Sequence, residues 1–179
     1  YEIPAWVREM IDGGKKTFYK REAGQLSYYD LSIKDYRAVE VKPGIIHLPS
    51  LKDREKKIKG NKGASLIDIG DGIACLEFHT KMNSMGAEVI EGINTAISMA
   101  EKSYKGLVIG NEGANFSAGA NLAMLFMFAG DQDYDEINLM IAQFQKTMMR
   151  ARYSSVPVVV APHNMALGGG CELSLHADH

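Results

Sequence analysis

The chain has 179 residues, 46% of them hydrophobic, which suffices for the core of one domain or one and a half. Its longest apolar runs, such as 122–129, are too short for a bilayer helix, and no charged-then-apolar leader opens it, so a soluble protein without a membrane span is expected. The net charge of −2 conceals an asymmetry: residues 1–62 hold 14 Lys+Arg against 9 Asp+Glu, and residues 63–179 hold 6 against 13, which marks a boundary.

In chain order, Pro4 and Gly13-Gly14 bracket a short helix whose buried edge would be Trp6, Met10 and Val7. Thr17-Phe18-Tyr19-Lys20 and Ser27-Tyr28-Tyr29-Asp30 are aromatic-rich pieces with Gly24 between them, and 36–41 is a possible strand. Little periodicity ties these together, so a mostly irregular or helical segment is expected. Lys52, Arg54, Lys56, Lys57, Lys59 and Lys62 are interrupted by Asp53 and Glu55 and lack interleaved aromatics, so 52–63 reads as a solvated basic linker, not a nucleic-acid arm. The opening residue is Tyr1 and the first methionine is Met10, so the chain is expected to be cut from something longer.

Beyond the linker, 65–69 and 73–78 are apolar runs joined by Gly70-Asp71-Gly72, a hairpin signal. Met85, Val89, Ile90, Ile93, Ile97 and Ala100 recur at helical spacing, with Glu88, Glu91 and Glu101 for the wet side, and 107–109 reads as a strand. A second helix over 134–153 carries Ile137, Met140, Ile141, Phe144, Met148 and Ala151 on one stripe, which reads as core packing and not as a lipid contact. Asp131, Asp133, Asp135 and Glu136 before it lack the glycine and closing glutamate of a calcium loop, and acids suit a helix N-terminus without any ion. The β-branched run 156–161 reads as a buried strand. This order is an α/β pattern whose later strands, joined by helical crossovers, should pair in parallel. Cys75 and Cys171 have no metal-ligand spacing and are expected to be small, buried, reduced thiols; His163 and His176 are isolated, so no metal site is expected.

Two stretches carry the chemistry. Ala166-Leu167-Gly168-Gly169-Gly170-Cys171-Glu172-Leu173 follows the last strand and leads into a helix. Its glycines let a ligand approach bare main chain, the N–H groups of a helix start can hold a developing oxyanion, and Glu172 adds a carboxylate. By itself such a stretch is more often a tight packing turn than a site. The earlier stretch, Asn115-Phe116-Ser117-Ala118-Gly119-Ala120-Asn121-Leu122, is a second small-residue turn after a strand, and the two could face one substrate oxygen. Ser117 has no adjacent histidine that would suggest a nucleophilic triad.

Read together, the two stretches resemble the paired motifs F-x-A-G-A-D-[IL] and A-x-G-G-G-x-E-[LI] of the crotonase, or enoyl-CoA hydratase/isomerase, superfamily, over residues 64–179. The resemblance implies an α/β fold, the N-terminal part of a crotonase (ClpP/crotonase-like) ββα-repeat fold. It implies an oxyanion hole from the N–H groups of Ala120 and Gly169, and Glu172 as general acid/base, with a second glutamate from a segment after His179. It places Lys81, Ala118, Gly119, Asn121, Leu122 and Gly168 at the acyl-CoA substrate. The segment 79–85 matches the family's strand-end turn around an asparagine. Asn121 stands where the family usually has aspartate, and Ala123 where many members have a CoA-binding lysine, which leaves CoA affinity open. Pro4-x-Trp6-Val7-x-x-Met10 with Phe18-Tyr19-Lys20-Arg21-Glu22 and Tyr28-Tyr29-Asp30 is similar to the tail of the helical domain of 3-hydroxyacyl-CoA dehydrogenases.

The domains expected are therefore 1–51, a dehydrogenase-type tail; 52–63, the linker; and 64–179, the N-terminal half of a crotonase domain. The implied function is the hydratase part of a multifunctional fatty-acid β-oxidation protein, cytoplasmic and homo-oligomeric. An enoyl-CoA isomerase and a non-catalytic acyl-CoA-binding or assembly module are the alternatives. No cofactor is expected in this segment; NAD would belong only to a dehydrogenase domain outside it, since no G-x-G-x-x-G turn occurs here. Residues 1–179 alone are expected to be inactive and to self-associate.

Overall fold

The computed structural model describes every residue except Tyr1, Pro43 and Glu55. The chain divides into two compact units, residues 1–55 and 56–179. Glu55, one of the acids that interrupt the basic run, lies outside the described residues.

In the first unit α1 spans Ala5–Asp12, with Pro4 at its N-cap and Gly13 at its C-cap; Gly14 then turns left-handed at φ 77°. Met10 is buried and Val7 half-buried, but Trp6 is 37% exposed and meets Phe18 edge-on, so the expected buried edge is only partly buried. The stretch expected to be mostly irregular or helical contains an antiparallel sheet: β1 (Tyr19–Glu22), β2 (Gln25–Asp30) and β3 (Asp35–Ala38), in that order. Glu22 pairs with Gln25 across Ala23 (φ 48°) and Gly24 (φ 76°), a two-residue turn whose positive φ values match the twist of a hairpin. Tyr29 is buried and its ring lies edge-on to that of Tyr36, its cross-strand partner. The helix α2 (Leu48–Asp53) follows.

The second unit holds a five-stranded sheet of order β4-β5-β6-β7-β8, formed by Lys57–Gly60, Ala64–Gly70, Ile73–Phe78, Gly106–Gly110 and Val158–Val160. Part of the stretch read as a linker is thus the edge strand β4, and its exposed lysines, Lys57 and Lys59, suit an edge that must not pair further. The β5–β6 hairpin turns at Asp71 (φ 55°) and Gly72 (φ 80°), where the sequence signalled it. From β6 to β8 the pairing is parallel.

One face of the sheet is covered by α3 (Ala87–Ser103), through Val89, Ile93, Ala96, Ile97 and Ala100, which pack with Leu66, Leu76, Leu107 and Ile109 in one core. Gly92 lies so close to β5 that a Cβ there would come within 2.8 Å of the Ala64 Cβ. Then come α4 (Leu122–Gly130), α5 (Tyr134–Arg152) and α6 (Gly169–His176). Asp133 caps α5, its carboxylate accepting the Glu136 N–H, which is the role acids before a helix can fill. The stripe on α5 is core only at its end: Met148 and Ala151 are buried, Ile137, Met140 and Phe144 half-buried, and Ile141 45% exposed. Asn94 donates to Thr147 at 2.7 Å and Arg150 to Glu101 at 2.7 and 3.1 Å, fastening α5 to α3. Cys75 is buried as expected, but Cys171 is exposed, because α6 buries Gly169, Gly170 and Leu173 instead.

Candidate active site

The two small-residue turns are brought together by main-chain contacts. Ser117 donates its N–H to Met165 at 3.1 Å and accepts from Leu167 at 3.0 Å, a parallel bridge between the two stretches. Gly119 takes φ 90°, and a Cβ there would sit 2.8 Å from the Leu167 carbonyl oxygen, so the turns touch through the absence of a side chain. Gly168, at φ 45°, is the N-cap of α6, which places Gly169 at the first position of the helix, where an N–H has no intrahelical acceptor.

Ala120 is held from its flanks. The Met85 N–H donates to the Gly119 carbonyl at 2.8 Å, and the Asn121 N–H donates to the Met85 carbonyl at 3.3 Å. These bonds use the carbonyl before and the N–H after Ala120 and leave its own N–H aside; neither the Ala120 N–H nor the Gly169 N–H donates to a protein acceptor among the described residues. Both residues, with Glu172 and Asn121, line one cavity of about 340 Å³. Its remaining walls include Met85 and Ile90, Met124 and Leu125 of α4, and Met140 and Phe144 of α5. Glu172 sits in the first turn of α6, its N–H bonded to the Gly168 carbonyl at 2.9 Å, and it is solvent-exposed.

Of the substrate-side candidates, Asn121 lines this cavity, whereas Lys81, Ala118, Gly119, Leu122 and Gly168 are not among its wall residues. Ala118, Gly119 and Gly168 build the turns behind the wall: the Ala118 N–H donates to the Met82 carbonyl at 3.1 Å. Lys81 is exposed on a 3₁₀ turn, Lys81–Asn83, and Leu122 is 57% exposed at the start of α4. The half-buried residues of α5 that departed from the core reading, Met140 and Phe144, face this cavity, and a Cβ on Gly169 would come within 2.7 Å of the Phe144 ring.

Sequence reasoning gave Asn83 only as the asparagine of a turn. The structure buries it in a left-handed conformation (φ 50°), with its amide donating to the Asn115 carbonyl at 3.0 Å and its own carbonyl accepting the Ser117 hydroxyl at 2.8 Å. A non-glycine left-handed residue is a usual role for asparagine, but its partner lies 34 residues away, which no local pattern displays. Two open N–H groups, one carboxylate and apolar walls suit a carbonyl compound with an apolar chain, whose oxygen gains negative charge during reaction.

The enoyl-CoA hydratase/isomerase family model matches residues 68–179. The chain is 48% identical over 176 residues to a probable 3-hydroxyacyl-CoA dehydrogenase of Bacillus subtilis, covering 98% of this chain and 22% of that protein. It is 32% identical over 149 residues to a putative fatty acid oxidation complex trifunctional enzyme of Rickettsia felis, covering 83% of this chain and 20% of the relative. The chain thus spans about a fifth of the length of these relatives. Among solved structures, the enoyl-CoA hydratases of Polaromonas sp. JS666 and Thermoplasma volcanium superpose with TM-scores of 0.59 and 0.57 at 25% and 26% identity. They match 64% and 66% of this chain and 46% and 47% of their own. With the family model matched over well over half of its residues, and both motif turns assembled on one cavity, the chain belongs to the enoyl-CoA hydratase/isomerase family, the crotonases.

Proposed function

We propose that this chain supplies the oxyanion donors and one acid/base group of an enoyl-CoA hydratase centre, within a multifunctional fatty-acid oxidation protein. The observation that carries the reading is that Ala120, Gly169 and Glu172 line the same cavity. Water adds through its oxygen to the β-carbon of a 2-enoyl thioester. Its proton passes to the Glu172 carboxylate, and the electron pair of the double bond moves through the α-carbon onto the carbonyl oxygen. There the two N–H groups stabilise it without a metal. A proton then returns to the α-carbon and regenerates the carbonyl. The dehydrogenase-named and trifunctional relatives support the multifunctional setting, in which residues 1–51 adjoin the dehydrogenase region. The substrate is an acyl-CoA thioester and the location cytoplasmic.

The test is Glu172→Gln in the complete protein. Acyl-CoA binding should stay nearly intact while crotonyl-CoA hydration falls on the order of 10²- to 10⁴-fold; an unchanged rate would remove Glu172 from the acid/base role. A second reading is supported by Glu172 being the single carboxylate among the described wall residues. One acid can shuttle a proton between carbons, as an enoyl-CoA isomerase requires, and conversion of 3-enoyl-CoA without hydration would select that activity. Binding without either reaction would leave an acyl-CoA-binding module.

We also propose self-association. No residue of α4 is buried, and Leu122, Phe126 and Met127 are 57%, 76% and 54% exposed, an apolar helix surface of the kind that association covers. Residues 1–179 made alone should sediment as an oligomer and not hydrate crotonyl-CoA. A clean monomer, or substantial turnover, would overturn this part.

A further inference from the structure

We propose that Ser117 is a positioning residue that sets the spacing between the Ala120 and Gly169 N–H groups; the inference rests on the oxyanion reading above. Ser117 is completely buried. Its hydroxyl donates to the Asn83 carbonyl at 2.8 Å and accepts the Gly119 N–H at 3.0 Å. The proton of a hydroxyl can point only one way, so commitment to Asn83 aims a lone pair at Gly119. That fixes the peptide one residue before Ala120.

The same residue reaches the other turn. Its carbonyl accepts the Leu167 N–H at 3.0 Å, and the Leu167 carbonyl in turn accepts the Gly170 N–H at 2.9 Å. A Cβ on Gly170 would come within 2.7 Å of the Ser117 Cβ, so the side chain also abuts the start of α6. Ser117 therefore touches both turns, hydroxyl on one side and main chain and Cβ on the other. Loss of the hydroxyl leaves the Gly119 N–H and the Asn83 carbonyl without their shared partner in a buried place. The relief is a shift of the Ala118–Gly119 peptide, which passes through the Gly119 Cα to the next peptide and so to the Ala120 N–H, against the hold of the Met85 N–H on the Gly119 carbonyl. The hydroxyl proton is held by a main-chain carbonyl, so Ser117 acts through these contacts and not as a nucleophile.

Hydrogen-bond donors aimed at a thioester oxygen weaken its C=O bond and lower its stretching frequency, which gives a readout that general loosening does not reproduce. The measurement is difference infrared spectroscopy of crotonyl-CoA bound to the complete protein carrying Glu172→Gln, with and without Ser117→Ala. The parent should show a red-shifted carbonyl band. Ser117→Ala should lose at least about half of that shift while the dissociation constant changes less than about threefold. In the protein with Glu172 restored, kcat should fall roughly ten- to a hundredfold with little change in KM, as expected for misplacement by a fraction of an ångström. A full red shift in Ser117→Ala would overturn the positioning role alone. No red shift in the parent would overturn the oxyanion reading and this inference with it. If Ser117→Ala does not fold, Ser117→Cys, a weaker donor of similar size, is held to the same criterion: a diminished shift supports the role and an undiminished one overturns it.

Discussion

Gly119→Ala tests whether the two turns are set by close contact. The residue holds φ 90°, where a side chain is strained by about 1–3 kcal/mol. The new Cβ would lie 2.8 Å from the Leu167 carbonyl oxygen, a backbone atom that cannot swing aside. Ordinary contact begins at 3.4 Å, so one turn must move by roughly 0.6 Å; overpacking of this kind adds about 1–3 kcal/mol. The sum, about 2–6 kcal/mol, should appear as a lower denaturation midpoint for this domain. Gly168→Ala is the comparison: φ is 45°, but its Cβ meets only the Gly119 Cα at 3.9 Å, so strain acts without overlap and the loss should be smaller. Because a 1 Å misplacement can cost 10²-fold in rate, Gly119→Ala should also slow turnover by about tenfold in whatever fraction stays folded. Urea denaturation of residues 1–179 in the three forms, with crotonyl-CoA hydration by the three complete proteins beside it, decides the matter. Stability of Gly119→Ala equal to that of the parent, or a larger loss in Gly168→Ala, would refute the contact argument.

Thiol labelling of residues 1–179 at pH 8 should modify Cys171 and spare Cys75 until the chain is denatured, since burial, with Glu77 and Glu112 nearby, pushes the Cys75 thiol up to about 12; rapid labelling of both in the native state would contradict this. Arg150→Met should cost about 0.5–1 kcal/mol at pH 7, a modest figure because the ion pair is partly exposed. Hydrogen bonds from Arg150 and the Ser155 N–H hold Glu101 below its ordinary 4.5, so the stabilisation is present above that value and fades as pH falls through the lowered one. Denaturation of parent and variant at pH 7 and pH 3 should give a gap that narrows in acid, and a gap that widens would reverse the assignment.

Much of the second unit was legible because its signals are local. The Gly70-Asp71-Gly72 hairpin takes positive φ at all three positions, and glycine and aspartate tolerate it. The α3 stripe reports a helix packed on one side, and helical crossovers dictate parallel strands. Of the first sheet only the possible strand at 36–41, which overlaps β3, was read, because β1 and β3 are four residues long and almost wholly exposed and β2 is half-buried on both faces, so burial imprints little alternation on them. The edge strand β4 was hidden by the lysines that suit an edge. On α5 one apolar stripe serves two ends differently: Met148 and Ala151 enter the core, while Met140 and Phe144 face the cavity. Hydropathy alone cannot separate a core wall from a cavity wall.

The departures from the family pattern fall where side chains act, not where the main chain does. Asn121, in place of the usual aspartate, caps α4 by accepting the Ala123 N–H at 3.2 Å, a task that amide and carboxylate perform about equally well. Its own N–H remains on Met85, so the hold on the Ala120 flank does not depend on which of the two stands there. Ala123, where many members have lysine, is exposed and its N–H already has the cap as acceptor; the change removes a cation but no main-chain donor. By contrast, the positions that bring the turns together admit no such exchange. Gly119 against Leu167 and Gly170 against Ser117 would each place a Cβ within 2.8 Å of a neighbour on the other turn. The approach of the two turns is therefore built from absent side chains, so under the proposed oxyanion reading the exchanges at 121 and 123 leave the spacing of the two N–H groups unchanged.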